Sequence, residues 1–352
     1  MRVVLSSEKL CAVAERPVPS PSPSQLLLRV AWSAVNRADT LQRRELYPAP
    51  AGAPEWLGLE AVGVVVARGG GAASAGGAPA LGARVMALLP GGGNAEYVTV
   101  EHTHVLPVPP SLTLRDAAAI PETWLTAFQL LFIVDAPLFT KTGGGLPSLA
   151  GRTVVVHAAG SGVGTAAVQL AAAAGARVVA VAGAGEKLAA AARLGAAEGV
   201  DYKAEPATFG ARLAAAATRG GGGGAALILD PVGAPFAAAN IDALAPDGTW
   251  VLYGSLGGLR LSESPAASDA LLGALLRKRG RLVGTTLRNR SDEYKAALVA
   301  RFREEALPLL ESGALRAVVH AEFPLERTGE AHALMESNAT LGKILLRVSG
   351  EL

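Results

Sequence analysis

Residues able to do chemistry are concentrated between Thr153 and Gly183, in the stretch TVVVHAAGSGVGTAAVQLAAAAGARVVAVAG. A short β-branched run, a glycine turn opened by Gly160, Gly162 and Gly164, an alanine-rich segment and a second β-branched run form the pattern of a βαβ unit. Such a turn can hold the pyrophosphate of a dinucleotide. Unpaired N–H groups and the dipole at a helix N-terminus attract an anion, and small residues let the backbone come close to it. The glycine fingerprint is degraded, since Ala159 and Ser161 stand at its usual first and second glycines and only Gly164 keeps the third.

Which nicotinamide cofactor fits is read at the end of the second strand. An acidic side chain there accepts hydrogen bonds from a free ribose 2′-hydroxyl and repels a 2′-phosphate. Val181-Ala182-Gly183-Ala184-Gly185 contains no acid, and Lys187 follows in the next helical segment. Glu186 has the wrong sign for a phosphate and reads as a favourable charge in a helix's first turn. The missing acid leaves room for the 2′-phosphate of NADPH, while Lys187 read alone is equally a solvated helix lysine.

The remaining chain must position that turn. Its 352 residues, half of them apolar, suit two domains with a sizeable core. From Met1 to about Ile120, short strands separated by Pro and Gly (at 3–5, 26–31, 61–67, 84–88, 95–100 and 104–107) predict a compact, largely β domain. From Pro121, helices alternate with β-branched runs, which predicts a doubly wound α/β domain. Residues 281–287 are its expected edge strand, suited to pairing across a two-fold homodimer, and 292–312 a long helix with charges on one face. Glycine-rich tracts at 69–80, 143–145 and 220–224 read as flexible loops.

Several classes are disfavoured. A net charge of +2 from 32 basic and 30 acidic residues offers no basic surface for nucleic acid. No apolar run resembles a signal peptide or membrane span, and Cys11, the single cysteine, excludes an internal disulfide, so the cytoplasm is the expected compartment. His102 and His104, at i, i+2, would share a strand face but have no third ligand near them in sequence, and read as surface histidines. His157, His320 and His332 are scattered and carry no signal.

Taken together, SAVNRAD, GLEAVG, ALLPGGGNAEYVTV, AAAIPETWLTAFQLL, HAAGSGVGTAAVQL, LGAAEGVDY, LILDPVG and WVLYGSLGG fall in the order and spacing of a known group. The chain resembles the zinc-free, zeta-crystallin-like quinone oxidoreductases of the medium-chain dehydrogenase/reductase superfamily, nearest their tumour-suppressor-inducible branch. That resemblance implies a GroES-like catalytic domain from residues 1–121 and 288–352, a Rossmann domain from 122–287, and a homodimer. It adds Ser161 to the glycine turn as a cofactor contact, places the Tyr202 phenol near the 2′-phosphate, and puts Thr126, Val163, Tyr253 and Gly254 around the nicotinamide or ribose. Two additions to the family pattern, at 69–80 and 140–149, read as loops.

In zinc-dependent members of the superfamily the metal ligands fall at places corresponding to Asn36, Leu59 and about Glu122; a leucine cannot ligate, so no metal is expected. A quinone needs little activation beyond orientation. Asn36 is the expected partner of a substrate oxygen or the ribose, Tyr47 a surface for a flat ring or a proton donor, and Ser161 a further pocket residue, with Arg37, Asp39 and Glu60 as supporting ion pairs. Two alternatives stay open: an NADPH-dependent enoyl-thioester or alkenal reductase using Tyr47 as acid, and a nucleotide- or RNA-binding protein with little catalysis.

Overall fold

The computed structural model describes residues 1–7, 9–74, 76–134, 145–219, 221–261 and 265–350. The chain divides into two compact units, Met1–Leu125 with Leu287–Leu352, and Thr126–Thr286.

The first unit begins with Arg2–Ser7 (β1) and Leu10–Glu15 (β2), an antiparallel pair. Gln25–Val35 (β3), Glu60–Arg68 (β4), Arg84–Leu88 (β5), Tyr97–Glu101 (β6) and Val105–Pro107 (β7) follow. Alternate β3 residues Leu26, Leu28 and Val30 face one way and pack with Val65, Val85, Ala87, Val98 and Val100 in a buried cluster. Each such fully buried side chain contributes roughly 1.5–3 kcal/mol.

The second unit is one parallel sheet of Thr153–Val156 (β8), Arg177–Ala182 (β9), Glu198–Asp201 (β10), Ala225–Asp230 (β11), Leu244–Leu252 (β12) and Arg281–Gly284 (β13). Their order, β10-β9-β8-β11-β12-β13, is the doubly wound order expected, with its reversal beside β8. Valines 155, 179 and 181 pack with Leu213, Ile228, Phe236 and Trp250 on one side of it.

The chain then returns to the first unit as Val319–Pro324 (β14) and Lys343–Arg347 (β15), completing a sheet of order β14-β15-β3-β4-β5-β7 in which β6 also pairs with β3. The α/β class with a GroES-like β-rich unit and a Rossmann-type sheet is as expected.

Three expectations need correction. The 69–80 tract is not wholly a loop, because Gly70–Ser74 is a short helix anchored by the buried Ala72. The helix expected over 292–312 is two, Asp292–Glu305 and Leu307–Glu311; Pro308 has no N–H to continue the ladder. Helices at Phe209–Thr218, Pro265–Lys278 and Thr328–Glu336 were not anticipated. Residues 140–144 and Gly220, part of the expected loops, lie outside the described residues. No described helix is long and apolar enough to cross a membrane.

Candidate active site

At the C-terminal end of β8 the chain turns through Ala158, whose φ of 49° is left-handed, into the helix Gly162–Ala173. Ser161 is the N-cap, its Oγ accepting the Gly164 N–H at 3.0 Å. This leaves the hydroxyl's own proton to donate. Gly164 is required here because a Cβ would lie 2.3 Å from the Ala158 carbonyl oxygen. The first-turn N–H groups of Gly162 and Val163, both partly accessible, complete an anion-attracting helix end.

Lys187, in the helix Gly185–Arg193, lays its methylenes over Gly160, where a Cβ would come within 2.9 Å of them. The Tyr202 ring and the Lys203 stem lie likewise over Gly183, just after β9. The ammonium of Lys203 sits 5.8 Å from the Tyr202 ring centroid. Burial, opposed by Glu186 and reinforced by Lys203, pulls the Lys187 pKa below its usual value. Lys203, which sequence reasoning missed, adds a second cation where no acid follows the strand; its only signal was its place after Tyr202.

Tyr253 and Gly254 follow β12, and the Tyr253 N–H bonds the Asp230 carbonyl at 3.0 Å. Gly254 approaches Pro231 closely enough that a Cβ would lie 2.9 Å from its carbonyl oxygen. The Asp230 carboxylate fixes this region by accepting from the N–H groups of Val232 (2.6 Å) and Gly233 (3.1 Å), from Asn240 (2.9 Å) and from Trp250 (3.0 Å). Burial, with Asp230 nearby, raises the Tyr253 pKa, so its phenol stays protonated. Thr126 lies on the helix Pro121–Phe132, partly accessible.

In the first unit Asn36 borders a buried charge pair. Lys343 Nζ donates to Glu60 Oε1 (2.7 Å), Asn36 Oδ1 (2.7 Å) and the Val35 carbonyl (2.9 Å), which uses all three of its protons. Asn36 Nδ2 donates to Glu60 Oε1 at 2.8 Å and only loosely, at 3.5 Å, to the Ala34 carbonyl. The amide orientation follows from its partners, since Lys343 only donates and Glu60 only accepts. One Asn36 N–H is thus only weakly engaged.

Glu60 pairs with Lys343, but Arg37 and Asp39 are not the ion pairs expected. Arg37 donates to the Met335 carbonyl and to Asn338 Oδ1, while Asp39 accepts the backbone N–H groups of Asn36 (2.8 Å) and Gly58 (3.0 Å). Burial, against those N–H groups, pushes the Asp39 pKa up to about 6. Glu122 bonds Glu60 Oε2 through its backbone N–H at 2.9 Å, and burial, then the Glu60 charge, push its carboxyl up to about 8.

Tyr47 is partly exposed, with the Arg288 guanidinium 5.5 Å from its ring centroid. Arg288 donates to the Pro90 carbonyl and Gln42 Oε1, both at 2.7 Å, yet among the described residues its buried Nη1 has no partner. Neither Lys343 nor Arg288 was singled out from sequence, where each is one basic residue among 32.

At the place of the superfamily's second zinc ligand, Leu59 is a buried hydrocarbon, and among the described residues no group of three or more His, Cys, Asp or Glu could hold a metal. The histidine pair is corrected: 102–104 is a 3-10 turn rather than a strand, and His104 is buried, bonded to the Asp292 carbonyl at 3.0 Å.

A β-rich unit built from both ends of the chain and a doubly wound unit between them define a medium-chain dehydrogenase/reductase. Residues 22–110 match the alcohol dehydrogenase GroES-like domain, and residues 162–303 the family described as zinc-binding dehydrogenase. A probable quinone oxidoreductase of Schizosaccharomyces pombe is 33% identical over 97% of this chain and 94% of its own. The quinone oxidoreductase of Thermus thermophilus, solved alone and with NADPH, is 29% identical with a TM-score of 0.76, over 99% of this chain and 100% of that one. An NAD-dependent alcohol dehydrogenase is 30% identical with a TM-score of 0.77 over the same shares. The chain belongs to the quinone oxidoreductase family of this superfamily and is an oxidoreductase enzyme.

Proposed function

We propose that the chain is an NADPH-dependent, zinc-independent quinone reductase. The observation that carries the cofactor choice is the pair of glycines, Gly160 and Gly183, that seat Lys187 and Tyr202 at the end of β9 with no carboxylate closing the strand. The helix N-terminus at Ser161, Gly162 and Gly164 holds the pyrophosphate, Lys187 and Tyr202 the 2′-phosphate, and Thr126, Val163, Tyr253 and Gly254 the ribose and nicotinamide. When bound, NADPH supplies the reducing equivalents.

Toward the substrate, the spare N–H of Asn36 orients a quinone oxygen and the Tyr47 ring offers a flat face. Zinc independence rests on the donor set, since Leu59 offers no ligand atom and both ends of the Asn36 amide are engaged.

Cofactor titrations test this reading. Lys187→Ala is expected to weaken NADPH binding about 10–100-fold, the value of a charge-assisted bond, and to leave NADH unchanged. Equal affinity for both cofactors in the wild type, unmoved by the substitution, would remove the basis for NADPH. NADPH consumption with ortho- and para-quinones tests the substrate; enoyl-thioester turnover lost in Tyr47→Phe, with no quinone turnover, would replace the reading by the enoyl reductase.

The assembly proposed is a homodimer through residues 281–287. Among the described residues β13 pairs only with β12, and beside this edge Leu282 is partly exposed, while Leu272 and Leu276, at i, i+4 on the preceding helix, are about four-fifths exposed. Leu272→Asp with Leu276→Asp is expected to halve the mass seen by light scattering; an unchanged mass would place the interface elsewhere. The cytoplasm is the proposed compartment, where Cys11, pushed up to about 11 by burial, stays an unreactive thiol.

A further inference from the structure

Two guanidinium groups of the first unit are unequally provided for. Arg43 and Arg288 each have one buried nitrogen with no hydrogen-bond partner among the described residues, Nε in the first and Nη1 in the second. The charge of Arg43 is answered, because Glu336 takes its Nη2 with both carboxylate oxygens at 2.8 Å. That of Arg288 is not. Only 4% of Arg288 is exposed, its Nε donates to the Pro90 carbonyl and its Nη2 to the Gln42 amide oxygen, and neither acceptor carries a charge. Asp39, whose charge favours the cation, is itself committed to the backbone N–H groups of Asn36 and Gly58.

Removing a guanidinium from water is unfavourable unless an anion answers it, so two neutral acceptors leave a place that favours an arriving negative charge. The two anchored nitrogens also fix the direction of the third. Nε and Nη2 share one edge of the planar group, and holding both stops it turning, which leaves Nη1 as a donor with a set aim and two unused N–H groups. Gln42 lies on the helix Arg37–Arg43, whose N-cap is Asn36, and the guanidinium carbon lies 5.5 Å from the centroid of the Tyr47 ring. Arg288 is thereby tied by a hydrogen bond to the helix that begins at Asn36, and by its face to Tyr47, the two residues proposed to receive the quinone. Tyr47 is half-exposed in a stretch, 44–54, that has neither helix nor strand.

We propose that Arg288 is a catalytic residue of the first unit, its unpartnered Nη1 donating to the quinone oxygen on which negative charge forms, an inference that rests on the quinone reductase reading. In a two-electron turnover the quinone gains a hydride from the reduced nicotinamide, a C–H bond breaking there as a bond to hydrogen forms on the quinone. The product is a hydroquinone monoanion beside an oxidised nicotinamide. Nη1 stabilises the oxyanion as its charge develops, and a proton from water then completes the hydroquinone. Nη1 is closed to solvent with Tyr47 where it stands, so the ring shifts as the quinone seats against it.

The test pairs turnover with an anion probe. Arg288→Met is expected to lower the quinone kcat about 100-fold or more, the loss of one oxyanion donor, with quinone KM moved less than about threefold and the NADPH dissociation constant unchanged; Arg288→Lys should keep part of the rate. 4-Nitrophenol, a flat phenol whose ionised form absorbs in the visible, reports the site without turnover. The wild type with NADP+ is expected to bind the phenolate about tenfold or more tighter than the phenol, and Arg288→Met to lose that preference. Methionine also leaves Pro90 and Gln42 without their donor, so urea unfolding checks the variant's fold, and the wild-type preference decides the matter where that fold is damaged. A wild type that binds phenol and phenolate equally, or an Arg288→Met protein that keeps its kcat or its phenolate preference, overturns the assignment. A wild type that prefers the phenolate yet turns over no quinone overturns the reading beneath it.

Discussion

Lys343→Met is expected to destabilise the protein by about 3–5 kcal/mol, the cost of leaving a buried charge without its partner. Methionine fills most of the lysine volume, so the loss is electrostatic and not a cavity. Glu60 and Lys343 are almost wholly buried, and removing the ammonium strands the carboxylate, the Asn36 amide oxygen and the Val35 carbonyl together. Urea unfolding of wild type, Lys343→Met, Glu60→Gln and the double variant closes the cycle. The double variant should recover much of the loss, because it removes the uncompensated charge, and coupling of several kcal/mol is expected between the two sites. A single-variant loss below about 1 kcal/mol would mean that water reaches Glu60 and that the cluster is not the sealed network described.

What could be read from sequence followed the range of the interaction. The turn from β8 to the helix Gly162–Ala173, and the seats of Lys187 and Tyr202, lie within about fifty residues and obey local rules of strand, turn and cap. The charge network under Asn36 does not. Lys343 bonds Glu60 across 283 positions and Arg288 bonds Gln42 across 246, so no spacing or periodicity links them, and it is the return of the chain from Leu287 onward into the first unit that brings them together. Glu60 was legible as an ion-pairing residue because a charge inside an apolar run needs a partner, but its partner was not. β2 escaped for a different reason: LCAVAE is mostly half-exposed, so its side chains carry no core pattern. His104 looked like a surface residue because the carbonyl that satisfies it, that of Asp292, comes from a helix 188 positions away.

Glu122 makes the stability of the fold depend on pH. Its pKa is raised on folding, so the folded state binds a proton that the unfolded chain releases at lower pH, and stability falls as pH rises from about 4.5 to about 8. Glu122→Gln, which cannot ionise, should gain melting temperature over the wild type across that window and show no advantage below it.

Gly164→Ala is the substitution expected to do most damage to the cofactor side. Its Cβ would meet the Ala158 carbonyl oxygen at 2.3 Å and the Ala159 Cα and carbonyl carbon at 2.8 and 2.9 Å, all backbone atoms that cannot rotate aside. The Ala158 carbonyl already accepts the Ser161 N–H at 2.8 Å from a residue held at φ 49°, so relieving the clash breaks that bond or lifts the helix start off the strand. Overpacking of this kind costs about 1–3 kcal/mol of stability. Loss of the aligned N–H groups at the helix end should weaken NADPH by at least about tenfold more than Lys187→Ala does, since it displaces the pyrophosphate site as a whole. Gly185→Ala is the control, because a Cβ there meets nothing within 4 Å, and both stability and NADPH affinity should be close to wild type. Fluorescence titration with NADPH and urea unfolding of the two variants separate the outcomes, and a Gly164→Ala protein that folds and binds NADPH normally would show that the pyrophosphate does not rest on this turn.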